Sequence, residues 1–255
     1  MDLYHFSEFV FPICELRRAT PADDFSVHQF HGTGFAIGSS GYFLSAHHVI
    51  EQRSVVAAQG HGYIAALVTN VRDGKRRWEP VRVIEVERCQ QKDVVIGKLE
   101  RPLPGFFTSR NDDAYGWEDV HVFGYPDSLK SDFQTSTRLQ FTPKFLKGYV
   151  TRRLESSDVL NAAWAPAYEL SFPVPLGVSG SPVFRTGPDH SLLGIALASV
   201  ESTLSVYERT DVVGPNETLR ESVRKVEQVG LAARLHELRD WRPMLANGAR
   251  LGELY

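Results

Sequence analysis

The stretch of this chain best suited to chemistry is Gly177-Val178-Ser179-Gly180-Ser181-Pro182-Val183-Phe184. Glycines close to a serine let the backbone turn tightly, so that amide N–H groups converge on the point where an oxyanion develops. A serine hydroxyl is a poor nucleophile near neutral pH until a base takes its proton during attack. Histidine suits that task, because its unperturbed pKa near ~6.5 lets it accept and return a proton. A buried carboxylate then fixes the imidazole tautomer and stabilises its charged form. Both partners stand upstream, in Ser45-Ala46-His47-His48-Val49-Ile50 and in Lys92-Asp93-Val94-Val95-Ile96-Gly97. The chain order is therefore histidine, aspartate, serine. Either His47 or His48 could be the base, since strand alternation sends them to opposite sides.

Two rival readings of these residues are weaker. A nucleophile elbow of the α/β-hydrolase kind needs Gly-x-Ser-x-Gly, with acid and histidine both after the serine. Here Ser181 occupies the place of the second glycine, and Asp211, Asp240, His190 and His236 stand in no recognisable context. His28-x-x-His31 has spacing that a metal could use, but no second cluster of Cys or acidic ligands accompanies it. No metal and no cofactor is expected.

The elements that must position these groups read as strands. Glu8–Cys14 opens the chain, and Gly32–Gly38 with Gly41–Ala46 forms a hairpin that delivers the histidines. Tyr63–Arg72 and Trp78–Glu87 flank an Asp73-Gly74 turn, and Asp93–Leu99 closes a first half. Arg101-Pro102-Leu103-Pro104-Gly105, continuing to Asn111-Asp112-Asp113, reads as a linker. A second set follows at 120–124, 139–152, 168–174, 182–185 and 192–200. Leu231–Leu238 has helical spacing.

Composition excludes several classes. A net charge of −3 gives no reason to expect nucleic acid or an anionic membrane as partner. No apolar run approaches the ~20 residues of a membrane span, and the N-terminus has no basic and apolar leader pattern. Two cysteines, Cys14 and Cys89, are few for a secreted protein of this kind and favour a reducing compartment, so a cytoplasmic location is expected.

From about Gly32 to Val200 the chain resembles the trypsin/chymotrypsin-like serine proteases, in particular the bacterial trypsin-like peptidases. The marks are Gly32-Thr33-Gly34-Phe35, Ala46-His47-His48-Val49, Asp93-Val94-Val95-Ile96 and Gly177-Val178-Ser179-Gly180-Ser181-Pro182. The resemblance implies an all-β fold of two antiparallel six-stranded β-barrels with a C-terminal helix, divided as 1–110 and 111–255 and acting as one peptidase unit. It assigns Ser179 as nucleophile, His48 as base because valine follows it directly, and Asp93 as orienter. It also implies an oxyanion hole from the Gly177 and Ser179 amides, and substrate contacts at Pro173, Ser199 and Glu201.

In the digestive enzymes an aspartate precedes the nucleophile and pairs with a freshly cut N-terminus. Val178 stands there in this chain, so activation by that route is not expected and a regulatory protein partner is. The residues after Val200 are too few for a PDZ domain of the HtrA group. The implied function is a serine endopeptidase acting on protein or peptide substrates. The competing class is a latent or silent protease fold serving as a binding module.

Overall fold

The computed structural model describes residues 3–18, 24, 26–50, 62–72, 75–90, 92–108, 112–127, 141–158, 162–164, 166–185, 190–214 and 217–255. The Asp73-Gly74 turn and the expected boundary at 110/111 lie outside them.

Two closed six-stranded antiparallel barrels make up the fold. The first contains β1 (Val10–Arg17), β2 (Ser26–Ile37), β3 (Tyr42–Ala46), β4 (Gly62–Arg72), β5 (Lys75–Arg88) and β6 (Val94–Leu99). Their order is β1-β2-β3-β6-β5-β4, and β4 returns to pair with β1. The second contains β7 (Asp119–Gly124), β8 (Lys144–Leu154), β9 (Ala167–Leu170), β10 (Pro182–Arg185), β11 (Leu192–Gly214) and β12 (Glu217–Arg234). Here the order is β10-β11-β12-β9-β8-β7, closed by β10 against β7. Closure leaves no free sheet edge within either barrel. No helix among the described residues is long and apolar enough to cross a membrane.

Strand sequence follows from which side faces a core. In β5, Val81 and Val83 are buried while Arg82 and Ile84 are exposed, the alternation of a strand with one wet face. In β1, Val10 to Cys14 are all buried, because its outer face is covered as well. Tyr125, which directly follows β7, contributes to that cover by donating its hydroxyl to the Val10 carbonyl at 3.2 Å. Phe6, Phe107, Phe123, Phe145 and Phe184 pack ring against ring, joining the N-terminal turn and the linker to the second barrel. Cys14 and Cys89 are free and buried, and burial pushes the Cys89 thiol up to about 11.

The C-terminal region departs from expectation. The segment with helical spacing is strand through Arg234, then a single 3₁₀ turn over Leu235–Leu238. Residues 231–235 are all buried, and β12 pairs there with β9 on one side and β11 on the other. A strand covered on both faces is a continuous apolar run, which periodicity alone does not separate from a buried helix. Short 3₁₀ turns at Met244–Ala246 and Leu251–Glu253 follow, and these residues lie back against the first barrel. Leu245 donates its amide to Glu87 Oε2 at 2.7 Å, and the Leu245 carbonyl accepts from the Tyr42 hydroxyl at 3.3 Å.

Beyond the barrel, β11 and β12 continue as a two-stranded arm, pairing Glu201 with Gln228 and onward to Gly214 with Glu217. At a strand rise of about 3.3 Å the arm is roughly 40 Å long. Val206, Tyr207, Leu219, Val223 and Val226 are exposed along it.

Candidate active site

The serine turn is two tight turns in succession. Val178 donates its amide to the Pro175 carbonyl at 3.0 Å, and Ser181 donates to the Val178 carbonyl at 3.0 Å. Each turn places a glycine third, Gly177 and Gly180, both at φ +86°. That conformation favours glycine in the third position of a type II turn. Space forbids a side chain too: a Cβ on Gly180 would lie 2.1 Å from the Thr33 carbonyl oxygen, and one on Gly177 2.6 Å from the Asp127 nitrogen. The two turns orient the peptide groups so that the Gly177 and Ser179 amides donate to no acceptor among the described residues.

The histidines sit on α1 (His47–Ile50), a single turn that ends β3. It is His48 that meets the carboxylate: its Nδ1 lies 2.7 Å from Asp93 Oδ2, and its backbone amide donates to Asp93 Oδ1 at 2.9 Å. His47 donates its backbone amide to the Asp93 carbonyl at 3.2 Å. Asp93 is buried and stands immediately before β6. Burial alone raises its pKa, but the His48 ring, the His48 charge and amide, and the Trp164 indole together outweigh it. The carboxyl is held below the usual carboxylate range.

His47, His48, Asp93, Trp164 and Ser179 line one cleft of about 740 Å³ between the barrels. Ser181 is fully buried away from it, and no hydrogen-bond partner meets its hydroxyl among the described residues. Pro173 and Ser199 are both on the cleft wall. Ser199 Oγ donates to the Val174 carbonyl and also accepts from the Val174 amide, each at 2.8 Å, so it pins the 173–176 segment to β11. Glu201 is not on the wall. It lies two residues further along β11, where its carboxylate accepts from the Gln228 amide at 3.1 Å. Gln228, its partner across the ribbon, is on the wall, so Glu201 stands at the rim of the cleft, where β11 and β12 run out into the arm.

Two residues missed in the sequence hold the site together. Thr33 is fully buried: its hydroxyl donates to the Gly177 carbonyl at 2.9 Å and accepts from the Tyr125 amide at 3.0 Å. Its own carbonyl accepts from Ser45 Oγ at 2.8 Å. The signal was its place between Gly32 and Gly34, where both neighbours are kept small by close approach. Trp164, in the 3₁₀ turn Ala162–Trp164 between β8 and β9, donates Nε1–H to Asp93 Oδ2 at 3.2 Å. No group of three His, Cys, Asp or Glu that could hold a metal occurs among the described residues.

Two six-stranded barrels, with a histidine–carboxylate pair and a glycine-flanked serine turn facing one cleft between them, define the fold of a chymotrypsin-type protease. Residues 32–195 match the trypsin-like peptidase domain family, and the chain belongs to it. The structure is similar to the crystal structure of the MamO protease domain from Magnetospirillum magneticum in its apo form. That match has 13% identity and a TM-score of 0.51, and covers 91% of this chain and 94% of that one. It is also similar to the HtrA-type protease AlgW with decapeptide, at 13% identity and a TM-score of 0.54 over 92% of this chain. The chain spans 65% of the length of AlgW. A comparison with curated protein sequences gives no match.

Proposed function

We propose that the chain is a serine endopeptidase in which Ser179, His48 and Asp93 cleave peptide bonds through an acyl-enzyme. Ser179 Oγ attacks the scissile carbonyl carbon while His48 takes its proton. The oxyanion of the tetrahedral intermediate faces the Gly177 and Ser179 amides. His48 then protonates the departing amine, and water repeats the sequence on the acyl-enzyme to regenerate the serine. The observation that carries this reading is a single one: the serine turn presents two unbonded amides beside a hydroxyl, on the same cleft as a histidine already bonded to a buried carboxylate. The two halves, 1–110 and 111–255, act as one unit, since each supplies part of this constellation.

The cleft wall at Pro173, Val174, Pro175, Leu176, Leu197 and Ala198 is apolar, and no acid other than Asp93 lines it among the described residues. It favours an uncharged side chain before the scissile bond over Arg or Lys. Regulation falls to a protein partner and not to an inserted N-terminus. Val178 is buried beside Val120, Val122 and Val183, and its own side chain offers no carboxylate to a new amine. A short tag before Met1 then leaves activity unchanged.

Labelling with a fluorophosphonate, followed by peptide mapping, tests the reading. An adduct on Ser179 that disappears in His48→Ala is expected. An adduct on Ser181, or none under any condition that hydrolyses a peptide library, overturns the assignment. A protein that neither labels nor hydrolyses is the binding module instead.

A further inference from the structure

Asp93 is held from both barrels. From the first barrel, His48 gives it a ring hydrogen bond and an amide hydrogen bond, and His47 gives an amide to its carbonyl. From the second, the 162–164 turn takes its amide at the Ala163 carbonyl, 3.0 Å away, and returns the Trp164 indole N–H to Oδ2 at 3.2 Å. Trp164 packs at once against the large core that runs through both barrels and against the Leu154, Ala167 and Leu231 cluster of the second. It is also on the cleft wall.

We propose that Trp164 is a positioning residue for the reaction, its indole N–H fixing the Asp93 carboxylate so that Oδ2 meets His48 Nδ1 only while the two barrels are docked. This rests on the triad reading above. The chemistry of the donor explains why an indole serves. Trp is a donor without acceptor capacity and has few rotatable bonds. Being neutral, it holds the carboxylate without cancelling the charge that the imidazolium needs, whereas a Lys or Arg there would compete with the imidazolium for it. The same side chain makes the acid sensitive to the β8–β9 connection, because a shift of the 162–164 turn withdraws an amide acceptor and an indole donor from Asp93 together.

Removing the N–H has two effects. The carboxylate loses a restraint, so His48 is oriented less well in the transition state. The charge on Oδ2 is also shared with one donor fewer, so the imidazolium is favoured and the acid limb of kcat/KM moves to higher pH. The other charged or titratable groups on this cleft are His47, on the turn that carries His48, and Arg88, at the end of β5, with Lys92 beside Asp93 in the chain. None of them changes when the indole does.

The test replaces Trp164 by 3-benzothienylalanine, an isostere that carries sulfur in place of the N–H, with Trp164→Phe beside it. Expected is a fall in kcat of about tenfold, the low end of what one hydrogen bond to a charged group contributes. KM stays nearly unchanged, and the acid limb moves up by roughly half a pH unit. An isostere that matches the wild type in both kcat and pH profile overturns the proposal.

A second readout needs no activity. The Trp164 indole N–H proton, assigned by its loss in Trp164→Phe, should titrate with pH in the NMR spectrum, lose that titration in His48→Ala and move upfield in Asp93→Asn. An indole signal indifferent to Asp93→Asn refutes the positioning role even if the protein proves an active protease. A responsive signal in a protein that hydrolyses nothing upholds the Trp164–Asp93 bond alone and overturns the protease reading, and the positioning role with it.

Discussion

The Thr33 amide donates to the Ser179 carbonyl at 3.0 Å, and the Thr33 hydroxyl donates to Gly177 two residues earlier. One buried residue of the first barrel thus fixes both ends of the turn that the second barrel presents. The serine turn is thus tied to the barrel that carries His48 through backbone groups that belong to neither side chain.

Thr33→Val keeps the shape but strands the Gly177 carbonyl and the Tyr125 amide, both bonded to the hydroxyl that it removes. We expect a loss of about 1–3 kcal/mol in urea unfolding, the cost of leaving buried polar groups unpaired, with kcat falling in parallel. Thr33→Ser should recover most of both. A stable, fully active Thr33→Val protein would mean that the turn holds itself.

Ser181→Ala should do the opposite. Its hydroxyl is buried with no partner among the described residues, so alanine removes a desolvated group and leaves the fold equally stable or up to about 1 kcal/mol more so. Activity should persist. Ser179→Ala should lose several orders of magnitude in kcat, because members of a triad act as a unit. Measured kcat and urea midpoints for the two variants distinguish the serines.

Acid should weaken the fold through Asp93. Its folded-state pKa is depressed, so the unfolded chain binds the proton more readily. The stability this contributes is complete above the unfolded value, about 3.9, and is lost as pH falls through the lower folded value. Unfolding free energies of wild type and Asp93→Asn, followed from neutral pH downwards, should converge in that acid range. Asp93→Asn should also cost kcat about 10⁴-fold at neutral pH, as the wrong tautomer is held. A stability difference that stays constant across the acid range would contradict the linkage.

The arm should be dispensable for folding. The described side chains on it between Glu201 and Gln228 are exposed, and an isolated two-stranded ribbon is marginal in water. Replacing residues 203–226 by an Asn-Gly turn between Ser202 and Glu227 should shift unfolding by less than about 0.5 kcal/mol. A collapse of the barrel on this deletion would reveal a structural role that its contacts do not suggest.

What the sequence made legible was whatever demands a particular residue locally. Gly177 and Gly180 are forced by positive φ and close approach, and the apolar runs of β3, β6 and β10 by burial. The pairing of His48 with Asp93 was legible only through the family resemblance, since two adjacent histidines are equivalent in spacing. Contacts made by distant segments left no mark: Trp164 is a lone aromatic in a connection, and only tertiary docking puts its N–H on Asp93. Leu231–Arg234 misled because a central strand buried on both faces loses its alternation. The arm escaped notice because its exposed residues mix apolar and charged types on one ribbon, without the wet and dry faces that mark a strand.

The last turns of the chain carry a consequence for biosynthesis. Residues 245–254 lie against the first barrel: Leu245 is bonded to Glu87 and Tyr42, Leu251 is fully buried in the core that the two barrels share, and the Leu254 carbonyl lies so close to Gly38 that a Cβ there would come within 1.8 Å of it. The strands of that barrel end at Leu99, so they leave the ribosome long before the segment that covers them. A nascent chain therefore cannot complete its first half first. The order of emergence and the order of completion are inverted, and the apolar surface awaiting Leu251 stays open to chaperones until that residue has itself emerged.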